Sequence, residues 1–226
     1  MKTEILYRPA YSLAVINLEA NESIRTESGA MVSMSADLIM ETKAQGGILK
    51  SLARAALGGE SFFMNTFTAA QGGGMITLAP SLPGDVVELY LSNQSIFVQS
   101  GSYLASSNGI AVDTSWGGAK TFFAREGLIL LKISGSGNVI LSSYGAIHEV
   151  TLAVGERYVV DTGHLVSFDS TLNFVIRKVA GWKSTIFGGE GLVVELTGPG
   201  KLTLQTRSQD AFINWLIPKL PKQSNN

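Results

Sequence analysis

Cysteine is absent from all 226 residues, which removes disulfides, thiolate nucleophiles and thiolate metal sites in one step and suits a reducing compartment. Only two histidines occur, and proline is held to six. Charge is scarce as well. Asp, Glu, Lys and Arg together make up 15%, and 17 basic against 18 acidic residues leave a net charge of −1. Such a chain projects no strong field toward phosphate backbones, so nucleic acid is not an expected partner. No apolar run approaches the roughly 18 residues of a spanning helix, and the N-terminal MKTEILYRPAYSLAVINLEA has neither the charge order nor the apolar block of a signal peptide. The expected compartment is the cytoplasm.

What is present is apolar surface and glycine. Hydrophobic residues reach 45%, with 25 glycines, and mean hydropathy is +0.22. That exceeds what one soluble monomer must bury and predicts contacts between subunits.

The chain also resembles itself. Residues 13–29 (LAVINLEANESIRTESG), 85–101 (DVVELYLSNQSIFVQSG) and 147–163 (IHEVTLAVGERYVVDTG) align without gaps, each closing on an acid or amide, a small hydroxyl and glycine. Apolar positions continue in step as Val32, Leu104 and Val166, then Leu38, Ile110 and Leu172. A second mark, Gly72-Gly73-Gly74, Gly135-Ser136-Gly137 and Gly198-Pro199-Gly200, returns every 63 residues. Alternating apolar residues follow each mark, as in Ile76/Leu78, Val139/Leu141 and Leu202/Leu204. Strand, glycine turn, strand is the simplest reading, with the marks as hairpin turns that need positive φ. Phosphate-binding loops are excluded because β-patterned sequence, not a helix, follows the glycines.

This reading gives an all-β chain of three tandem units: 1–84 with a helical insertion near 47–57, 85–146, and 147–207. A C-terminal helix and a disordered tail fill 208–226. In the insertion Ile48, Leu49 and Leu52 fall on one side of a helix, Lys50 and Arg54 on the other. The third unit carries a shorter counterpart with Trp182, Ile186 and Phe187. Insertions at one equivalent loop emerge on related edges of a symmetric body, so these eight residues form the candidate interaction surface. At the end of the chain Ser208 is placed to cap a helix whose Phe212, Trp215 and Leu216 follow an i, i+3, i+4 stripe that Pro218 stops.

The three-fold repetition, the GGESF segment at 58–62 and the closing GPGKLTLQTRS at 198–208 resemble the altered inheritance of mitochondria protein 24 family over almost the whole chain. The resemblance implies a fold similar to a triplicated tryptophan RNA-binding attenuation protein unit, a short double-stranded β-helix with pseudo-three-fold symmetry. Prokaryotic members of that family are described as proteins of unknown function, and mitochondrial members are implied to support inner-membrane organisation. With no mitochondrial targeting segment in view, a prokaryotic member is expected.

Chemistry is hard to find. His148 and His164 align with Ala14 and Val86, and with Ala30 and Ser102, and no H-x-H cluster supplies converging metal ligands. No G-x-S-x-G elbow is present. Glu27 and Asp161 match each other in the repeat, yet Gln99 takes the same place, so a shared polar turn role explains more than acid–base work does. RNA binding needs basic and aromatic residues in register, whereas Arg25 aligns with Phe97 and Val159. No catalytic residue, metal or cofactor is expected. The expected function is a non-enzymatic, homo-oligomeric scaffold or interaction protein, with a trimer preferred because strand edges must be paired or protected. The alternative is a module for a small molecule, a lipid or a membrane surface, and an unrecognised enzyme comes third.

Overall fold

A computed structural model of the chain describes residues 1–44, 63–113, 128–178 and 192–221. The fold is all-β, with seventeen strands and one α-helix among the described residues. Alternation dictates the strands. In β2 (Leu13–Leu18) Ala14, Ile16 and Leu18 turn inward while Asn17 faces water, and in β3 (Ser23–Glu27) Ile24 and Thr26 are the buried pair.

Two kinds of three-stranded group are built from these strands. β7 (Gly74–Leu78) lies between β2 and β4 (Met31–Met34), and β6 (Phe63–Ala69) lies between β3 and β5 (Leu38–Ala44). The middle of the chain does the same with two long strands. β8 (Val86–Gln99) and β11 (Leu130–Ser142) pair along their whole length, with β9 (Tyr103–Ser107) and β10 (Ile110–Asp113) on opposite halves of β11. In the last third β17 (Gly200–Gln205) lies between β12 (Ile147–Leu152) and β14 (Leu165–Asp169). Its neighbour β16 (Leu192–Thr197) lies between β13 (Arg157–Asp161) and β15 (Asn173–Lys178). β1 (Lys2–Leu6) adds to the outer side of β2.

Two antiparallel seams join the thirds. β3 meets β9 as Ile24↔Ser107, Arg25↔Ser106 and Thr26↔Ala105. β8 meets β14 as Ile96↔Asp169, Phe97↔Phe168 and Val98↔Ser167. Core packing crosses both. Leu104 and Ala105 belong to the cluster of Ile16, Ile24, Phe67 and Ile76, while Val166 belongs to that of Val98, Leu131 and Val139. The third cluster draws Phe97 against Phe168 and Phe174, with ring centroids 5.1 and 5.5 Å away.

The glycine marks correct one expectation: they are not hairpin turns. β6 and β7 pair with different strands, as do β16 and β17, so their marks are corners where the chain passes between sheets. Gly135-Ser136-Gly137 interrupts nothing at all; β11 runs straight through it, with a bulge between Gly135 and Ser136. Glycine is needed there for φ +126° and because a Cβ on Gly135 would collide with the carbonyl oxygen of Gly109. Asn21, Asn93 and Gly155 take φ of +62°, +54° and +76° at matching places. Polar side chains hold the strand ends alike: Ser35 Oγ accepts from Met75 N (2.9 Å), Ser107 Oγ from Asn138 N (3.0 Å), and Asp169 Oδ2 from Lys201 N (2.8 Å).

The helix forms where expected, as α1 (Gln209–Leu216), with Ser208 Oγ accepting from Ala211 N. None of its residues is buried. Its stripe touches the body through the edge of Phe212 on Tyr144, 6.2 Å between centroids. No helix among the described residues is long and apolar enough to cross a membrane.

Candidate interaction surface

The expected surface of Ile48, Leu49, Lys50, Leu52, Arg54, Trp182, Ile186 and Phe187 lies outside the described residues, as do the expected helix near 47–57 and the tail from 222. The described residues offer a different surface, built from two strand edges.

β4 pairs with β7 on one side, with Val32 as the unpaired bulge between Met31 and Ser33. Among the described residues no strand covers its other side. All four of its residues are exposed, Val32 by 58%. β9 and β14 carry the same bulge against β11 and β17, at Leu104 and Val166, and both of those side chains are 0% exposed. The difference is the neighbour: β9 and β14 each have a seam partner, and β4 has none among the described residues.

β13 is the second edge. It pairs with β16, and no strand among the described residues takes its other side. Tyr158 is exposed where Ile24 and Ile96 are buried, and Val159 is 50% exposed where Phe97 is 9%. Next to it Glu195 accepts hydrogen bonds from Arg157 and Arg177, which hold its carboxyl below the usual range. Both arginines are largely exposed, so these ion pairs add little stability.

The most developed polar cluster is elsewhere and is saturated. Buried Asp85 accepts Arg8 Nε and Nη2 at 2.8 Å each, Ser12 Oγ at 2.9 Å and Val86 N at 2.8 Å. Burial opposes the Asp85 charge, but these donors outweigh it and keep its carboxyl below the ordinary range. The Asp85 carboxylate in turn raises the Arg8 guanidinium. Held by these four donors, Asp85 clamps residues 8–12 to the start of β8. The shallow cavity beside it, lined by Tyr11, Ser12 and residues 79–84, has a volume of about 220 Å³, smaller than typical ligand pockets of roughly 300–1,000 Å³. His164 Nδ1 is engaged with the Gln205 carbonyl (2.8 Å) and His148 is exposed on β12. Among the described residues no three His, Asp or Glu side chains gather as metal ligands.

Sequence reasoning passed over Met31, Val32, Met34 and Val159. The signal was available in the alignment of Val32 with Leu104 and Val166, which marks Val32 as a core-type position. Which strand covers that position cannot be read from periodicity.

Comparison with known proteins gives one consistent picture. A family model described as mitochondrial biogenesis AIM24 matches residues 3–207. An uncharacterized protein of Streptococcus pyogenes serotype M6 is 28% identical over 223 residues, covering 95% of this chain and 89% of its own. The X-ray structure of a Streptococcus pyogenes protein superimposes with a TM-score of 0.82 at 26% identity, over 97% of this chain and 99% of that one.

Proposed function

The chain belongs to the mitochondrial biogenesis AIM24 family, and from that premise we propose that it acts in the cytoplasm as a non-enzymatic, homo-oligomeric scaffold or interaction protein. Its body is three repeated units, 1–84, 85–146 and 147–207, folded as a short double-stranded β-helix of the attenuation-protein type, with 208–226 appended. Three sets of matching features support this architecture: the strand pairings of β7, β11 and β17, the positive φ at residues 21, 93 and 155, and the side-chain caps of Ser35, Ser107 and Asp169.

The observation that carries the oligomer is the exposed bulge at Val32, apolar and unpaired where Leu104 and Val166 are wholly buried. Open apolar edges of this kind recruit another strand or aggregate. A trimer is the preferred assembly. Light scattering on the purified chain at micromolar concentration is expected to give three chain masses, and a strict monomer overturns the reading.

A second reading rests on α1 and the short 3₁₀ turn that follows it. Phe212, Trp215, Ile217 and Leu220 are exposed together, and Lys219 Nζ sits 5.0 Å over the Trp215 ring. An aromatic and aliphatic face bordered by lysine suits the headgroup region of an anionic bilayer. Flotation with vesicles containing anionic lipid tests it, and recovery of no protein with the vesicles removes it.

A further inference from the structure

The segments that lead into, join and leave the three thirds of the chain meet along one rim. Ser12 N donates to the Gly84 carbonyl (3.0 Å), Gly145 N to the Pro83 carbonyl (3.0 Å) and Thr206 N to the Ala146 carbonyl (3.1 Å). Segments 7–12, 79–84, 143–146 and 206–208 therefore form a continuous rail, and α1 leaves from its end. We propose that this whole rim lies on an anionic bilayer, with α1 as one part of a wider contact. The orientation deepens the membrane reading above and rests on it.

The rail is apolar where turns are ordinarily polar. Tyr7 and Tyr11 are 71% and 74% exposed, and Pro80, Leu82 and Pro83 line the shallow cleft beside Tyr11. On the other side of the Gly84–Gly145 contact, Phe212 continues the surface from Tyr144 to Trp215. Tyrosine and tryptophan suit the headgroup level because each joins an apolar ring to a polar tip. The first tyrosine is held in place at a cost. Tyr7 takes φ +60°, a region that bulky residues seldom enter, and the bidentate Arg8–Asp85 pair fixes the residue after it. Strain of this kind persists only where its surroundings over-determine it, and it collects at functional sites.

Charge distinguishes this rim from the opposite one. The four junction segments carry Arg8 and Arg207 and no carboxylate. Arg8 keeps half its side chain exposed above buried Asp85, and in the C-terminal segment Lys219 balances Asp210. The strands that start at the rail, β2 and β12, end about 20 Å away. There the turns 19–22 and 153–156 carry Glu19, Glu22 and Glu156 and no lysine or arginine. An anionic surface attracts the first rim and repels the second. A protein partner is the weaker fit, because such interfaces centre on anchors in well-packed pockets and the cleft on the rail is shallow. A line of exposed rings with basic neighbours suits a fluid plane.

Flotation of the full chain with vesicles of equal parts phosphatidylglycerol and phosphatidylcholine tests the orientation. Tyr11→Asp places a carboxylate on the rail, and Val154→Asp makes the matching change in the far turn, on a residue 85% exposed. The parent is expected to float, Tyr11→Asp to bind roughly fivefold more weakly or worse, and Val154→Asp to bind as the parent does. Trp215→Ala separates the two levels of the reading. Binding lost in Trp215→Ala but kept in Tyr11→Asp confines the contact to α1, which overturns the rim and leaves the membrane reading standing. A parent that does not float overturns both and leaves the rings to a protein partner. Equal weakening by Tyr11→Asp and Val154→Asp overturns the orientation, and equal binding to phosphatidylcholine alone overturns the selection by charge. On the unsubstituted protein, amide exchange at 10–12 and 144–146 should slow with vesicles while 153–156 stays unchanged. Slowing confined to 209–217 overturns the rim even where a variant fails to fold.

Discussion

β9 and β4 are bulged in the same register and carry residues of the same kind, yet they end in opposite surroundings. β9 is flanked by β11 and β3, and its bulge residue Leu104 is 0% exposed. β4 is flanked by β7 alone among the described strands, and Val32 is 58% exposed. Nothing in the local residues accounts for this. Among the described residues the middle third has a neighbour on each side and the outer thirds have one each, so exposure follows position in the chain. Serial β architectures face this problem at both ends, which they cap, pair or leave as binding edges. Here β4 keeps an apolar sequence, MVSM, without the charges or proline that ordinarily blunt an edge.

The largest expected effect breaks the closed side of the comparison. Leu104→Ala removes a wholly buried side chain from the first cluster and should cost about 2–5 kcal/mol. Urea unfolding should show a lower midpoint at unchanged slope. The loss should not depend on protein concentration, because the contact lies within one chain.

The next effect concerns the clamp that fixes the N-terminal arm to the start of β8. Asp85→Asn keeps the shape but withdraws the charge from Arg8, Ser12 and Val86 N, and should cost about 2 kcal/mol through weakened charge-assisted bonds. The carboxyl is held below its ordinary range, so its folded-state pKa lies under its unfolded one. The stability it contributes is complete above the unfolded pKa of about 4 and is lost as pH falls through the folded value. Thermal melts from neutral pH downward should therefore show acid destabilisation beginning near pH 4 in the parent and a shallower loss in the Asn variant. Some loss should persist, because Glu22 is also held low, by the N-terminal ammonium and the Glu19 backbone N–H.

Much of the fold was legible because alternation and glycine report on short-range geometry. The strands around residues 13–29, 85–101 and 147–163 and the Ser208 cap belong to this class, whereas the marks at Gly73 and Gly200, read as hairpin turns, are corners between sheets. The error at Gly135 shows its limit: a bulge and a turn demand the same φ, and only the partner strand distinguishes them. The Arg8–Asp85 clamp spans 77 residues, beyond anything periodicity can see. The candidate site was missed for a related reason. Reasoning from the amphipathic insertion favoured Ile48 to Arg54, a segment outside the described residues, whereas the open edges emerge only when each strand's neighbours are known.

The smallest expected effect sharpens the open side. Val32→Ala trims a side chain that is mostly in water, so in dilute, monomeric samples its stability should stay within about 0.5 kcal/mol of the parent. If another copy covers β4, the outcome changes with concentration. A partner that binds only the folded edge stabilises it by mass action, and Val32 then sits in apolar surroundings as Leu104 does. At high concentration the substitution should cost about 1–2 kcal/mol, the value of the apolar surface it would otherwise bury. The measurement is a pair of urea curves, dilute and concentrated, for the parent, Leu104→Ala and Val32→Ala. A Val32→Ala deficit that grows with concentration while the Leu104→Ala deficit stays fixed would mean that two equivalent positions differ only in which chain supplies the cover. A deficit that stays near zero at both concentrations would mean that Val32 faces water in the working protein, and that the edge serves something other than a second copy.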